Sequence, residues 1–113
     1  MEIVMARGDI LTQTFTVTEG TQPTEAFDEI YFTVKKSPND RDFLFQKKLS
    51  DGSIYEVETG KYQFTIDPED TNNMAFGSYG FDIELIRTGT LKRTFCGEFI
   101  LTKEYTHYYN EGV

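Results

Sequence analysis

The sequence predicts an all-β fold, a two-sheet antiparallel sandwich of about seven strands with one short helical crossover near 68-74. Three observations carry that prediction. Apolar residues recur with period two in nearly every segment. No stretch longer than about ten residues shows the three-to-four spacing of an amphipathic helix. Turn chemistry punctuates the chain at short intervals. With 113 residues there is room for one small domain, expected over 1-104 with an aromatic tail over 105-113. Ten Phe and seven Tyr supply more ring surface than a disordered chain carries.

The first strand is expected over Asp9 to Thr18, with Leu11, Phe15 and Val17 inward and Ile10, Thr12, Thr14 and Thr16 outward. Gly20 and Pro23 break the pattern before a strand at Glu29 to Lys36, with Ile30, Phe32 and Val34 inward and Tyr31, Thr33 and Lys35 outward. Ser37-Pro38-Asn39-Asp40 forms a turn, because proline fixes φ and Asn and Asp bond locally to the backbone. A strand from Asp42 to Leu49 follows. Asp51-Gly52 then turns into a short strand near Ile54 to Val57, and Thr59-Gly60 into Lys61 to Ile66, with Tyr62, Phe64 and Ile66 on one face.

Asp67-Pro68-Glu69-Asp70 reads as a helix start, with an N-cap oxygen, proline at the first position and acids facing the positive end of the dipole. Gly77 limits this helix to about two turns. Two long alternating runs close the domain. Tyr79 to Arg87 places Tyr79, Phe81, Ile83 and Leu85 inward, and Leu91 to Thr102 places Phe95, Phe99 and Leu101 inward, joined by a hairpin at Thr88-Gly89-Thr90. Tyr79 follows the crossover and stands two residues before the inward Phe81. An immunoglobulin-like sandwich uses a tyrosine there to bond back to the crossover backbone, so Tyr79 is proposed as that corner, the alternative being one more alternating core aromatic. Phe81 takes the place of a disulfide cysteine, which leaves apolar packing, with Phe32 and Phe64, to hold the sheets.

Charge and composition narrow the chemistry. Nineteen acids against eleven Lys and Arg give a net charge of −8. Basic residues cluster no further than the doublets Lys35-Lys36, Lys47-Lys48 and Lys92-Arg93, so no nucleic-acid partner is expected. No apolar run is long enough for a membrane span. Met1 to Met5 is too short, and too acidic at Glu2, for a signal peptide, which leads to an expectation of synthesis in the cytoplasm. One Cys and one His rule out an internal disulfide, a cysteine-based zinc cluster and a multi-histidine metal site.

No enzyme and no cofactor are expected. His107 lies in the loosest segment, Cys96 sits in a strand beside Gly97, and no pair of carboxylates stands out. Asp67, Glu69 and Asp70, Asp40 with Asp42, and Asp28 with Glu29 lack the alternating spacing and central glycine of a calcium loop. Arg7-Gly8-Asp9 matches the integrin-binding tripeptide, but a turn with Gly8 at positive φ is the expected role.

Four stretches carry a resemblance. They are Ala6-Arg7-Gly8-Asp9 before a Thr-rich strand, Ile30 to Asp40 (IYFTVKKSPND), Ile66-Asp67-Pro68-Glu69-Asp70-Thr71, and Gly77 to Leu85 (GSYGFDIEL). Together they resemble a family of phage and prophage immunoglobulin-like β-sandwich domains found at the N-terminal end of baseplate upper proteins and in related tail components. The resemblance covers most of residues 6 to 103. It implies a virion module made in the bacterial cytoplasm, with no catalytic residues to carry over. Many relatives continue into longer receptor-side or tail segments, whereas this chain has an aromatic tail.

The resulting expectation is a structural protein that assembles with other virion proteins and with copies of itself. Tyr105, Tyr108, Tyr109 and Tyr31 would supply contact area at low entropy cost. The alternative is a glycan- or receptor-binding adhesion module displayed on a particle, with the same tyrosines as its aromatic platform.

Overall fold

The computed structural model describes residues 1–19, 22–23 and 26–103. Its strands are β1 (Glu2–Ala6), β2 (Leu11–Thr16), β3 (Thr18–Glu19), β4 (Gln22–Pro23), β5 (Glu29–Lys35), β6 (Phe45–Lys48), β7 (Ile54–Glu58), β8 (Lys61–Ile66), β9 (Gly77–Arg87) and β10 (Leu91–Thr102), with one helix, α1 (Pro68–Thr71). A five-stranded sheet of order β1-β10-β9-β5-β6 faces a three-stranded sheet of order β2-β8-β7, and β3 and β4 form a separate small hairpin. This is a two-sheet β-sandwich, the chain passing between sheets at the crossover that holds α1.

The strict alternation in β5, β8 and β9 builds the core. Ile30, Phe32, Val34, Tyr62, Phe64, Ile66, Tyr79, Phe81, Ile83 and Leu85 are all buried. Phe32 from the larger sheet stacks on Phe64 from the smaller, with ring centroids 4.3 Å apart, and its other neighbours are Phe81 at 5.2 Å and Phe45 at 6.1 Å. Offset ring contacts of this kind add to area burial. Packed rings thus bridge the sheets where antibody domains use a disulfide.

The tyrosine corner is present. The Tyr79 hydroxyl donates to the Ala75 carbonyl, four residues back in the crossover. Replacing Tyr79 with Phe should therefore cost about 1–2 kcal/mol, the value of a buried hydrogen bond whose acceptor is left unpaired. Urea unfolding checks this, and an unchanged midpoint would remove the corner from the list of stabilising contacts.

Four expectations are corrected. The helix is a single turn, because Thr71 is fully buried and its Oγ1 accepts the Gly8 N–H at 3.0 Å, which holds the end of the turn beneath the 7–9 bend. The strand expected at Asp42 to Leu49 shrinks to β6, with Phe43 and Leu44 exposed before it. The sandwich is not wholly antiparallel. No strand is expected over Met1 to Met5, weighed above only as a signal peptide, yet β1 pairs in parallel with β10, Glu2 facing Glu98 and Ala6 facing Thr102, and buries Ile3 and Met5. Finally, Phe95 has the inward parity expected of it but is 43% exposed, since no strand of the smaller sheet closes over it.

Arg7-Gly8-Asp9 forms a bend with Gly8 at φ 86°. The Arg7 guanidinium lies 4.3 Å from the centre of the Phe76 ring, so the tripeptide is built into the fold at that end.

Carboxylates also fasten the loops. Asp28 accepts the Thr88 N–H at 2.6 Å, tying the start of β5 to the β9–β10 hairpin, and the hydrogen bonds from Thr88 hold its carboxyl below the usual range. Glu29 is raised by burial but lowered further by hydrogen bonds from Ser50, Ile30 and Leu49, so its net direction is also down. Both groups have folded-state pKa values below their unfolded ones. Their stabilisation is complete above the unfolded carboxylate range and is lost as pH falls through the folded values. The urea midpoint should therefore drop as pH goes from about 5 toward about 3. Asp28→Asn should flatten that dependence, and an equally steep profile in the variant would assign the effect elsewhere.

Candidate functional site

The larger sheet presents an outer face and, on the far side of β10, an edge that β1 covers only in part. On the outer face the ladder registers align Cys96, Asp82, Thr33 and Gln46 in one row and Thr94, Glu84, Tyr31 and Lys48 in the next. Gln46 Nε2 donates to Thr33 Oγ1 at 2.9 Å, and Lys92 Nζ lies 3.9 Å from Glu84. Tyr31 is half-buried at the wall of a shallow depression of about 300 Å³ shared with Arg41, Phe43, Gln46, Asp82 and Glu84. Burial, and then the charge of Glu84, pushes the Asp82 carboxyl up, against the pull of Lys35 and Lys92.

The edge follows from the unequal lengths of two strands. β9 pairs with β10 from Leu91 to Leu101, whereas β1 covers only Glu98 to Thr102. Among the described residues, the far edge of Leu91 to Gly97 has no ladder partner. Its polarity can be deduced. The Glu98 N–H donates to the Met1 carbonyl at 3.2 Å, and the Thr102 carbonyl accepts the Arg7 N–H at 3.1 Å. Even-numbered residues of β10 therefore turn their backbone groups toward this edge. By the alternation of the ladder, Lys92, Thr94 and Cys96 present their N–H and C=O groups along the uncovered part.

Gly97 marks where cover ends. A Cβ there would meet the Met1 carbonyl oxygen at 2.4 Å and the Phe81 ring at 2.5 Å, so only glycine lets β1 start this close while Phe81 packs beneath. Beside the open edge a cleft of about 580 Å³ separates the sheets, lined by Met1, Phe15, Val17, Ile83 and Phe95 among others. Met1 is 58% exposed, and the Arg93 guanidinium lies 5.1 Å from the centre of the Phe95 ring.

Of the expected contact residues, Tyr31 is on the outer face. Tyr105, Tyr108 and Tyr109 lie outside the described residues, as does His107. The four expected core residues, Phe32, Phe64, Tyr79 and Phe81, are brought into one cluster. Sequence reasoning missed the open edge. A usable signal existed, because Lys92, Arg93 and Thr94 put polar side chains on both parities of a strand whose second half alternates cleanly.

Among the described residues, no three His, Cys, Asp or Glu side chains gather where they could hold a metal ion. No helix among them is long and apolar enough to cross a membrane. Asp70, one of the weighed calcium ligands, is engaged with Lys47 Nζ at 2.7 Å and with the Asp67 N–H at 2.8 Å. Compared with known proteins, the chain matches no family model and no curated protein sequence.

Proposed function

We propose that this protein is a non-enzymatic structural module of a phage or prophage particle, in a tail, baseplate or other surface part, and that it acts by docking on other virion proteins. The resemblance over residues 6 to 103 motivates the reading, and the sandwich fold agrees with it. The observation that carries it is that, among the described residues, Leu91 to Gly97 has no ladder partner on its far edge, beside a cleft lined in part by Phe15, Val17, Ile83 and Phe95. A strand edge offers N–H and C=O groups for another chain to pair with, and the charges of Lys92 and Arg93 along it restrict which chains can do so.

Mass spectrometry of purified particles from cells that express the gene tests the proposal. Peptides of this chain should co-purify with particles at a ratio comparable to known structural subunits. Abundant protein in the cells and none in the particles would overturn it.

A second reading, a glycan- or receptor-binding adhesion module, is favoured by one feature, the depression in which Tyr31 meets Arg41, Gln46, Asp82 and Glu84. Sugars are held by an aromatic face with polar groups around it. A glycan-array signal abolished by Tyr31→Ala would promote this reading, and a blank array would retire it.

A further inference from the structure

We infer that the outer face of the larger sheet carries one continuous groove for a neutral oligosaccharide, running from Gly80 on β9 to Phe43 beside β6, with Gly80 as the floor that admits a sugar ring. The inference goes beyond the docking role. It rests on the adhesion reading, which it deepens by naming the ligand class and a second place of contact.

Gly80 is the starting point. A glycine inside a strand loses conformational entropy and contributes no side chain to packing. A fold tolerates one where the backbone needs positive φ, where a bulge interrupts the ladder, or where a Cβ would collide. None of these holds at Gly80. Its φ is not positive, β9 pairs with β10 and with β5 without a register shift, and a Cβ built there meets nothing within 4 Å among the described residues. Gly97 is glycine because the chain itself leaves no room, whereas Gly80 is glycine with room to spare. The remaining reason for a strand glycine is close approach by something outside the chain.

The space over Gly80 is a depression of about 310 Å³ whose lining includes Lys35, Pro38, Asp82 and Cys96. It shares Thr33, Lys35 and Asp82 with the depression of about 300 Å³ around Tyr31, so the two form one groove across the sheet. The Ser37–Asp40 turn stands beside it and is already fixed. The Ser37 N–H donates to the Asp40 carboxylate at 3.0 Å, and Lys35 Nζ donates to the Asp40 carbonyl at 2.9 Å. A wall ordered beforehand spares the ligand that cost.

The lining selects the ligand. β9 and β5 have ladder partners on both sides, so an extended peptide would find no backbone here to pair with. Lys35 and Arg41 balance Asp82 and Glu84, which favours a ligand without net charge. Among the described residues no ion pair joins Asp82 to Lys35 or Arg41 across the groove, which leaves these donors and acceptors for hydroxyl groups. Pro38 at one end, and Tyr31 and Phe43 at the other, supply apolar faces. Apolar faces at both ends with polar groups between them fit a chain of sugars better than a single one.

A glycan array printed with neutral, acidic and amino-bearing glycans, each as single sugars and as oligomers, tests the inference with the full chain. Signals should come from neutral oligomers and be lost in Gly80→Val and in Phe43→Ala, which alter opposite ends of the groove. Both variants should fold. Valine enters open space and has the higher strand propensity, so Gly80→Val should keep or raise the urea midpoint, and Phe43 is 50% exposed.

A lowered midpoint in Gly80→Val would show that the fold itself needs the glycine, and it overturns the inference. Signals confined to acidic glycans or to single sugars overturn it too, as do neutral-oligomer signals lost in Tyr31→Ala but kept in Gly80→Val. In each of those cases the adhesion reading stands. A blank array overturns the inference and the adhesion reading together.

Discussion

Phe32→Ala is expected to remove about 3–5 kcal/mol of folding free energy, the largest loss from any single substitution considered for this chain. A domain of this size has about 5–15 kcal/mol in total, so the variant should be largely unfolded at moderate urea or mild heating. Phe32 is fully buried and touches Phe64, Phe81 and Phe45, which belong to β8, β9 and β6. Truncation opens a hole that none of those rings can fill without leaving its own strand register. Phe32→Leu keeps most of the volume and should cost about 1.5 kcal/mol or slightly more. Tyr31→Ala, one residue away on the outer face, should cost far less. Urea unfolding followed by far-UV circular dichroism ranks the three. Equal losses at positions 31 and 32 would contradict the assignment of inner and outer faces.

Asp70→Ala should cost roughly 2–4 kcal/mol, a large effect for a residue outside the apolar core. Its carboxylate accepts Lys47 Nζ and the Asp67 N–H, and the side chains of Lys47 and Asp70 are only 11% and 15% exposed. Lys47 lies on β6 of the larger sheet, and Asp70 follows β8 of the smaller one. The ion pair therefore clamps the sheets together at the crossover. Removing Asp70 strands a shielded ammonium group and frees a helix N-terminus at once. A double-mutant cycle separates these costs. In a Lys47→Met background Asp70→Ala should cost only about 1 kcal/mol, the share due to the capping contact. If the cost there remains undiminished, the pair has no coupling and the clamp is refuted.

The legible parts of the fold were those whose signals are local. β5, β8 and β9 alternate cleanly, Thr59-Gly60 marks the turn into β8 and Thr88-Gly89-Thr90 the turn after β9, and Tyr79 is recognisable by its place between crossover and core strand. β1 escaped because its partner lies more than ninety residues away and no turn announces a parallel pair. Val4, which is exposed, also blurs the alternation of Ile3 and Met5. Phe95 shows the limit of parity as evidence: it states which way a side chain points but not whether a second sheet arrives there.

The open edge was only faintly marked. Polar side chains at Lys92, Arg93 and Thr94 break the alternation of β10, but which of its residues lack a partner depends on where β1 begins relative to a strand at the other end of the sequence. The tyrosine tail, by contrast, drew notice from composition alone.

The parallel course of β1 has a practical consequence for anyone preparing the protein. Because Met1 sits beside Glu98 and the strand runs toward Thr102, residues added ahead of Met1 emerge at Gly97, pointed along the vacant ladder toward Leu91. An amino-terminal affinity tag or cleavage scar is therefore delivered to a stretch of backbone that has no ladder partner among the described residues, at a high effective concentration. Such a preparation would behave as a plugged version of the molecule along Leu91 to Gly97.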